Sequence, residues 1–169
     1  MPLIRAAAAA AAAVLTVAAA GCGSDAEDDA DLGGAWTASL GVTAAWAEAA
    51  PRATGTAEVS SGDGTSVQLS VTGLEPGLEY TAHVHDGECD EDPPGGGHWL
   101  ADASGEDAAG NIVQLTFTTS ESGTGATTAS VPLVLDDRAE SVVVHAPEPA
   151  TEAAGLDSDR VLCGDLEEN

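Results

Sequence analysis

The sequence predicts an all-β domain of seven or eight short strands, folded as a β-sandwich or a Greek-key barrel. Three observations carry this. Segments rich in Val, Thr and Leu recur with turn residues between them, at 35–46, 53–60, 66–72, 79–85, 112–119, 127–135 and 140–145. Hydrophobicity alternates with a period of two in Val67-Gln68-Leu69-Ser70-Val71, the pattern of a strand buried on one face. Outside residues 6–20, no 12-residue stretch carries the apolar period of a helix.

The first segment is ambiguous, because the Ala-rich run 36–49 also suits a helix. Thr37, Val42 and Thr43, beside Trp36 and Trp46, favour a strand, since β-branched and aromatic side chains fit a pleated surface. Ser61-Gly62-Asp63-Gly64 is a hairpin turn between the second and third strands. Glu75-Pro76-Gly77 turns the chain before the fourth, and Asp136-Asp137 separates the last two β-rich runs. No internal repeat is present.

The length, 169 residues, suits one domain. With 3 Trp, 1 Tyr and 1 Phe, its core is built from Val, Leu and Ala. All four basic residues are arginines (Arg5, Arg52, Arg138, Arg160), against 29 Asp+Glu, for a formal charge of −25. That balance excludes nucleic acid as a partner, because nothing neutralises phosphates. It also excludes a basic patch for anionic lipid. Such a charge is compatible with disorder, but the Val, Leu and Ile runs of the C-terminal two-thirds argue for a packed fold.

The N-terminus reads as an address. Arg5 and the apolar stretch 6–20 form the n- and h-regions of a signal peptide, too short to span a bilayer comfortably. Ala19-Ala20-Gly21-Cys22 resembles a bacterial lipobox, in which Cys22 carries lipid and becomes the mature N-terminus. The other reading is an ordinary signal peptide cut near Ala20, leaving Cys22 as a free thiol. The expected organisation is a signal peptide at 1–21, a lipidated acidic tether at 22–34 and a β-domain at 35–169. The protein is then exported and anchored to the bacterial cell membrane through Cys22, where disulfides persist.

All four histidines fall at strand ends or in one loop. His83-Val84-His85 places two imidazoles on one face of a strand. His98 follows the acidic, Pro/Gly-rich loop 90–97, and His145 closes the run Ser141-Val142-Val143-Val144-His145. Singly, each is more often structural. Together they point to a metal, and four imidazoles without thiolate suit Cu(II), or Zn(II) if tetrahedral. A bridge between Cys89 and Cys163 would close a long loop and pin the metal loop to the body. The alternative is two unpaired thiols.

The combined motifs resemble the copper–zinc superoxide dismutase family. They are Val71-Thr72-Gly73-Leu74 with Pro76-Gly77, His83-Val84-His85 with Gly87 and Cys89, Gly96-Gly97-His98, Val142-Val143-Val144-His145 and Arg160-Val161-Leu162-Cys163-Gly164. In family order, they cover the chain from about residue 53 to its C-terminus. The resemblance implies an eight-stranded Greek-key β-barrel of immunoglobulin-like topology, a Cys89–Cys163 disulfide, and His83, His85, His98 and His145 as copper ligands. It also implies Arg160 as the guide for superoxide and His98 as the proton carrier of the redox cycle. Taken alone, Arg160 reads more readily as an ion-pair partner of Asp157, Asp159 or Asp165.

The chain departs from the family after His98, where residues 99–107 hold no histidine and offer only Asp102, Glu106 and Asp107 in place of a zinc cage. Zinc is therefore expected to be absent. The segment between His145 and Cys163 is short, and Tyr80 stands where many members have a further histidine. The pattern is similar to the family's copper-only branch. The expected function is copper-dependent dismutation of superoxide at the cell surface. The alternatives are a non-catalytic copper-buffering lipoprotein and a structural β-sandwich of the chordin-like kind. Oligomeric state is left open.

Overall fold

Period-two patterning becomes a meander at the start of the domain. β1 (Gly34–Val42), β2 (Thr54–Ser61) and β3 (Thr65–Thr72) pair antiparallel. Ala38, Leu40, Ala57, Val59, Val67, Leu69 and Val71 turn inward, and most of the residues between them face out. The structure, a computed structural model, describes residues 33–169. The expected signal peptide, Cys22 and the expected tether up to residue 32 lie outside the described residues.

The chain continues through β4 (Glu79–His85), β5 (Gln114–Thr118), β6 (Gly125–Val131), β7 (Ser141–His145), a helix α1 (Glu148–Ala154), β8 (Arg160–Asp165) and β9 (Glu167–Glu168). Eight strands hydrogen-bond in the order β5-β4-β7-β8-β1-β2-β3-β6, with β9 added to β1. β3 pairs with β6 and β4 with β7, so the connections 73–78 and 132–140 each pass over neighbouring strands. That is the Greek-key crossing. β5 and β6 end the order and approach each other, leaving a nearly closed barrel. The Phe117 ring fills this seam against Gly125, where any Cβ would collide with it.

β7 is buried along its whole length, which explains its continuous apolar run. Val142 and Val144 enter the core with Ala82, Val84, Leu115, Leu162 and Trp99. On the outer face, the loop between β4 and β5 folds back over Val143. Backbone bonds from Asp86 N to Gly97 O and from Gly87 N to Gly95 O close that loop, and the Cys89–Cys163 disulfide fastens it to β8. Tyr80 lies on the inward face of β4, stacked on Phe117, with its hydroxyl accepting from Glu75 N. Burial raises its pKa.

The all-β architecture is as predicted; several boundaries are not. β1 starts at Gly34, one residue before the expected segment. β1 stops at Val42 rather than 46, because Trp46 is buried in a 3-10 turn (Ala44–Trp46) with its indole donating to Ser158 O. The predicted strand 127–135 is shifted to β6, and Pro132 ends it by lacking a donor. Beyond it, side chains replace ladder bonds: Thr65 Oγ1 donates to Leu133 O and Leu135 N donates to Ser61 Oγ. No helix of the described residues is long and apolar enough to cross a membrane.

Candidate metal centre

Alternation along β4 sends Tyr80, Ala82 and Val84 into the core and leaves His83 and His85 on the outer face. In the β4–β7 ladder His83 faces Val143, and His145 lies opposite Thr81, so His145 joins the same face. His98 arrives from the folded-back loop as the bridge partner of His85. Trp99 N then bonds Val84 O, and the Trp99 ring is buried beneath it. Three segments of the chain thus meet at one spot, with His98 13 and His145 60 residues beyond His85. One nitrogen from each imidazole lies within 4.8 Å of those of the other three.

The hydrogen bonds fix the ring states. His85 Nδ1 lies 3.2 Å from Gly95 O, His98 Nδ1 2.8 Å from Asp107 Oδ1, and His145 Nδ1 3.2 Å from Asp159 Oδ2. A carbonyl or an ionised carboxylate only accepts, so each of these Nδ1 atoms carries the proton and donates it. That leaves Nε2 of each ring to face the centre. His85 Nε2 and His145 Nε2 lie 3.2 Å apart, close enough for one cation to engage both. The fourth ring, His83, lies with its centroid 4.2 Å from that of His98, and its buried Nδ1 has no hydrogen-bond partner. A buried polar atom left unpaired costs free energy, which a coordinated cation would remove. The donor set and these two observations fit a d-block metal held by nitrogen.

The site also resists protonation. Burial, followed by the charges of His98 and His145, lowers the pKa of His83 to about 4. Burial lowers His85 to about 2, with the neighbouring imidazoles and Arg160 acting in the same direction. Both rings therefore stay neutral at physiological pH, the state that a metal requires. The hydrogen bond from His145 holds Asp159 below the usual carboxylate range, with burial opposing it.

Arg160 opens β8 in register with His145, and its Nη1 donates to Pro94 O of the covering loop. Of its suggested ion-pair partners, Asp159 holds His145 and Asp165 accepts from Cys89 N. Among the carboxylates considered for a zinc cage, Asp107 holds the outer nitrogen of His98. Asp102 caps its own turn through Ser104 N and Oγ, which lowers its pKa. The segment before Arg160, expected only as a short loop, contains α1. The sequence reading named Asp159 only as a partner for Arg160, and missed its bond to His145, the Gly95 carbonyl and a clamp behind His98. In that clamp Trp99 Nε1 donates to Asp136 Oδ1, while Arg138 forks onto Asp136 and lies over the Trp99 ring. Searches against protein-family models and against curated proteins find no match for this chain.

Proposed function

We propose that this protein binds one copper ion at His83, His85, His98 and His145 and dismutates superoxide, as an exported copper-only member of the superoxide dismutase family. The observation that carries the reading is the convergence of four imidazoles, with His85 Nε2 and His145 Nε2 only 3.2 Å apart. The Greek-key barrel, the Cys89–Cys163 disulfide and Arg160 beside the site support the same assignment. A disulfide also suits an oxidising, extracytoplasmic compartment.

Bound copper would supply the one-electron couple that oxidises one superoxide to oxygen and reduces the next to hydrogen peroxide. The protein's own residues do the rest. Arg160 offers guanidinium donors to a small anion while Nη1 stays on Pro94 O. Asp107 holds His98 by Nδ1, which leaves Nε2 as the nitrogen that takes up and returns a proton. The partly exposed His98 ring gives that proton a route to solvent.

A second reading, copper binding without turnover, is favoured by the charge: with 29 acidic residues against four arginines, the chain repels an anion. Substitution Arg160→Ala separates the two. The enzyme reading expects copper content unchanged and dismutation strongly reduced. A wild-type protein that holds copper but leaves superoxide decay at the buffer rate supports the buffering reading instead. Failure to bind copper at all overturns both.

A further inference from the structure

Asp159 ends the loop that leads into β8, immediately before Arg160, and it holds the end of β7 twice. Its backbone carbonyl accepts from Ala146 N at 2.6 Å, and its carboxylate accepts from His145 Nδ1 at 3.2 Å. The ladder is irregular between Val144 and His145, so β-sheet hydrogen bonds alone do not set the orientation of that last ring. His145 Nε2 must nevertheless be aimed at His85 Nε2 for the site to close. Among the three Nδ1 partners in the centre, Gly95 O is a neutral carbonyl, whereas Asp107 and Asp159 are anions.

We infer that Asp159 is a positioning residue of the metal centre: its carboxylate fixes the Nδ1–H tautomer of His145, aims Nε2 at the metal, and through that bond favours the more highly charged metal state. The inference rests on the copper reading of the site. The chemistry is that of a carboxylate–histidine–metal relay. An anion accepting the Nδ1 proton makes the opposite nitrogen a stronger donor, and a stronger donor stabilises Cu(II) more than Cu(I). The carboxylate is exposed at its other side, 55%, so solvent reaches it and its influence passes through the imidazole bond rather than through a buried field.

Two substitutions divide positioning from charge. Asp159→Asn keeps an acceptor oxygen and removes the charge, while Asp159→Ala removes both. With the full-length protein loaded with copper alone, Asp159→Asn is expected to lower Cu(II) affinity about tenfold. Cu(I) affinity stays near the wild-type value, which raises the midpoint potential by about 59 mV for that tenfold difference. Asp159→Ala is expected to lower Cu(II) affinity further and to alter the Cu(II) EPR parameters. Equal losses of Cu(I) and Cu(II) affinity, with the potential unmoved, overturn the inference and leave Asp159 a structural support only.

A readout without copper keeps the two claims apart. In the metal-free protein, 15N–1H correlation of the imidazoles is expected to show His145 protonated at Nδ1 in the wild type. In Asp159→Ala it is expected to become a mixture of tautomers. A wild-type protein that binds no copper but shows this change contradicts the copper reading and retains the positioning role. An unchanged His145 tautomer in Asp159→Ala contradicts the positioning role whatever the metal result.

Discussion

Gly95 occupies a position where any side chain would disturb the centre. Its φ is +84°, and a Cβ would run into Val143 Cγ2 and sit 3.1 Å from Ser141 Oγ. Its carbonyl accepts the Nδ1 proton of His85. Gly95→Ala is expected to cost about 1–2 kcal/mol from the left-handed backbone alone, more with the clash, and to weaken metal binding. Thermal melting and calorimetric copper titration check both effects; wild-type affinity in this variant would contradict the role given to the Gly95 carbonyl. The depressed imidazoles set a pH dependence. His83 and His85 titrate at about 4 and about 2 in the folded, metal-free chain and near 6.5 once unfolded. Between those values the unfolded chain binds more protons, so stability is full above about 6.5 and declines as pH falls towards 4. Urea midpoints of the metal-free protein should therefore be lower at pH 5 than at pH 7.5, and equal midpoints would contradict the burial of these rings as neutral species. The four histidines were legible because they are few and all mark strand ends or one loop. The bonds of Asp107 and Asp159 to two of them were not: with 29 acidic residues, nothing in the sequence assigns these two carboxylates to His98 and His145. Their partners are chosen by loop geometry across 9 and 14 residues.

The fourth strand and the loop that follows it build the centre, and two devices hold that loop. One is the disulfide, whose half-cystines are 74 residues apart. Replacing both cysteines by serine should cost about 4 kcal/mol in the chain-entropy model, read as a lower urea midpoint, with copper affinity reduced because the covering loop is freed. The other is the clamp of Trp99, Asp136 and Arg138. Trp99→Phe keeps a buried ring and loses a bond to a charged acceptor, an expected loss of about 1.5–3 kcal/mol. An unchanged midpoint would show that the Nε1–Asp136 bond contributes nothing net. The disulfide was readable as one of two possibilities, and the family resemblance chose between them. The clamp was not readable, since Arg138 and Trp99 lie 39 positions apart and join only through tertiary folding. α1 had left its marks in the sequence: Pro147 and Pro149 at its start, Glu148 in the first turn and Gly155 in the left-handed cap. At seven residues it was too short to show a helical period. β9, two glutamates paired with Trp36 and Thr37, carries no apolar signature at all.

At the scale of the molecule, the barrel was legible because its two-faced strands alternate and its turns use Gly, Pro and Asp. The order of those strands was not contained in that alternation, which left a sandwich and a Greek-key barrel both open; the structure supplies the order. The net charge acts over the same scale. In the proposed reaction an acidic surface would repel superoxide at long range, and Arg160 would attract it only locally. Dismutation is therefore expected to accelerate with added salt in the low range, because screening relieves repulsion. A rate that falls steeply with salt would show a steering field that this charge balance does not supply. The central claim, one copper at four histidines turning over superoxide, is tested most directly by following superoxide decay with the copper-loaded protein while counting metal in the same sample. One copper per chain and decay far above the buffer rate, in proportion to bound copper, are expected. A fully loaded protein that leaves superoxide decay at the buffer rate would contradict it.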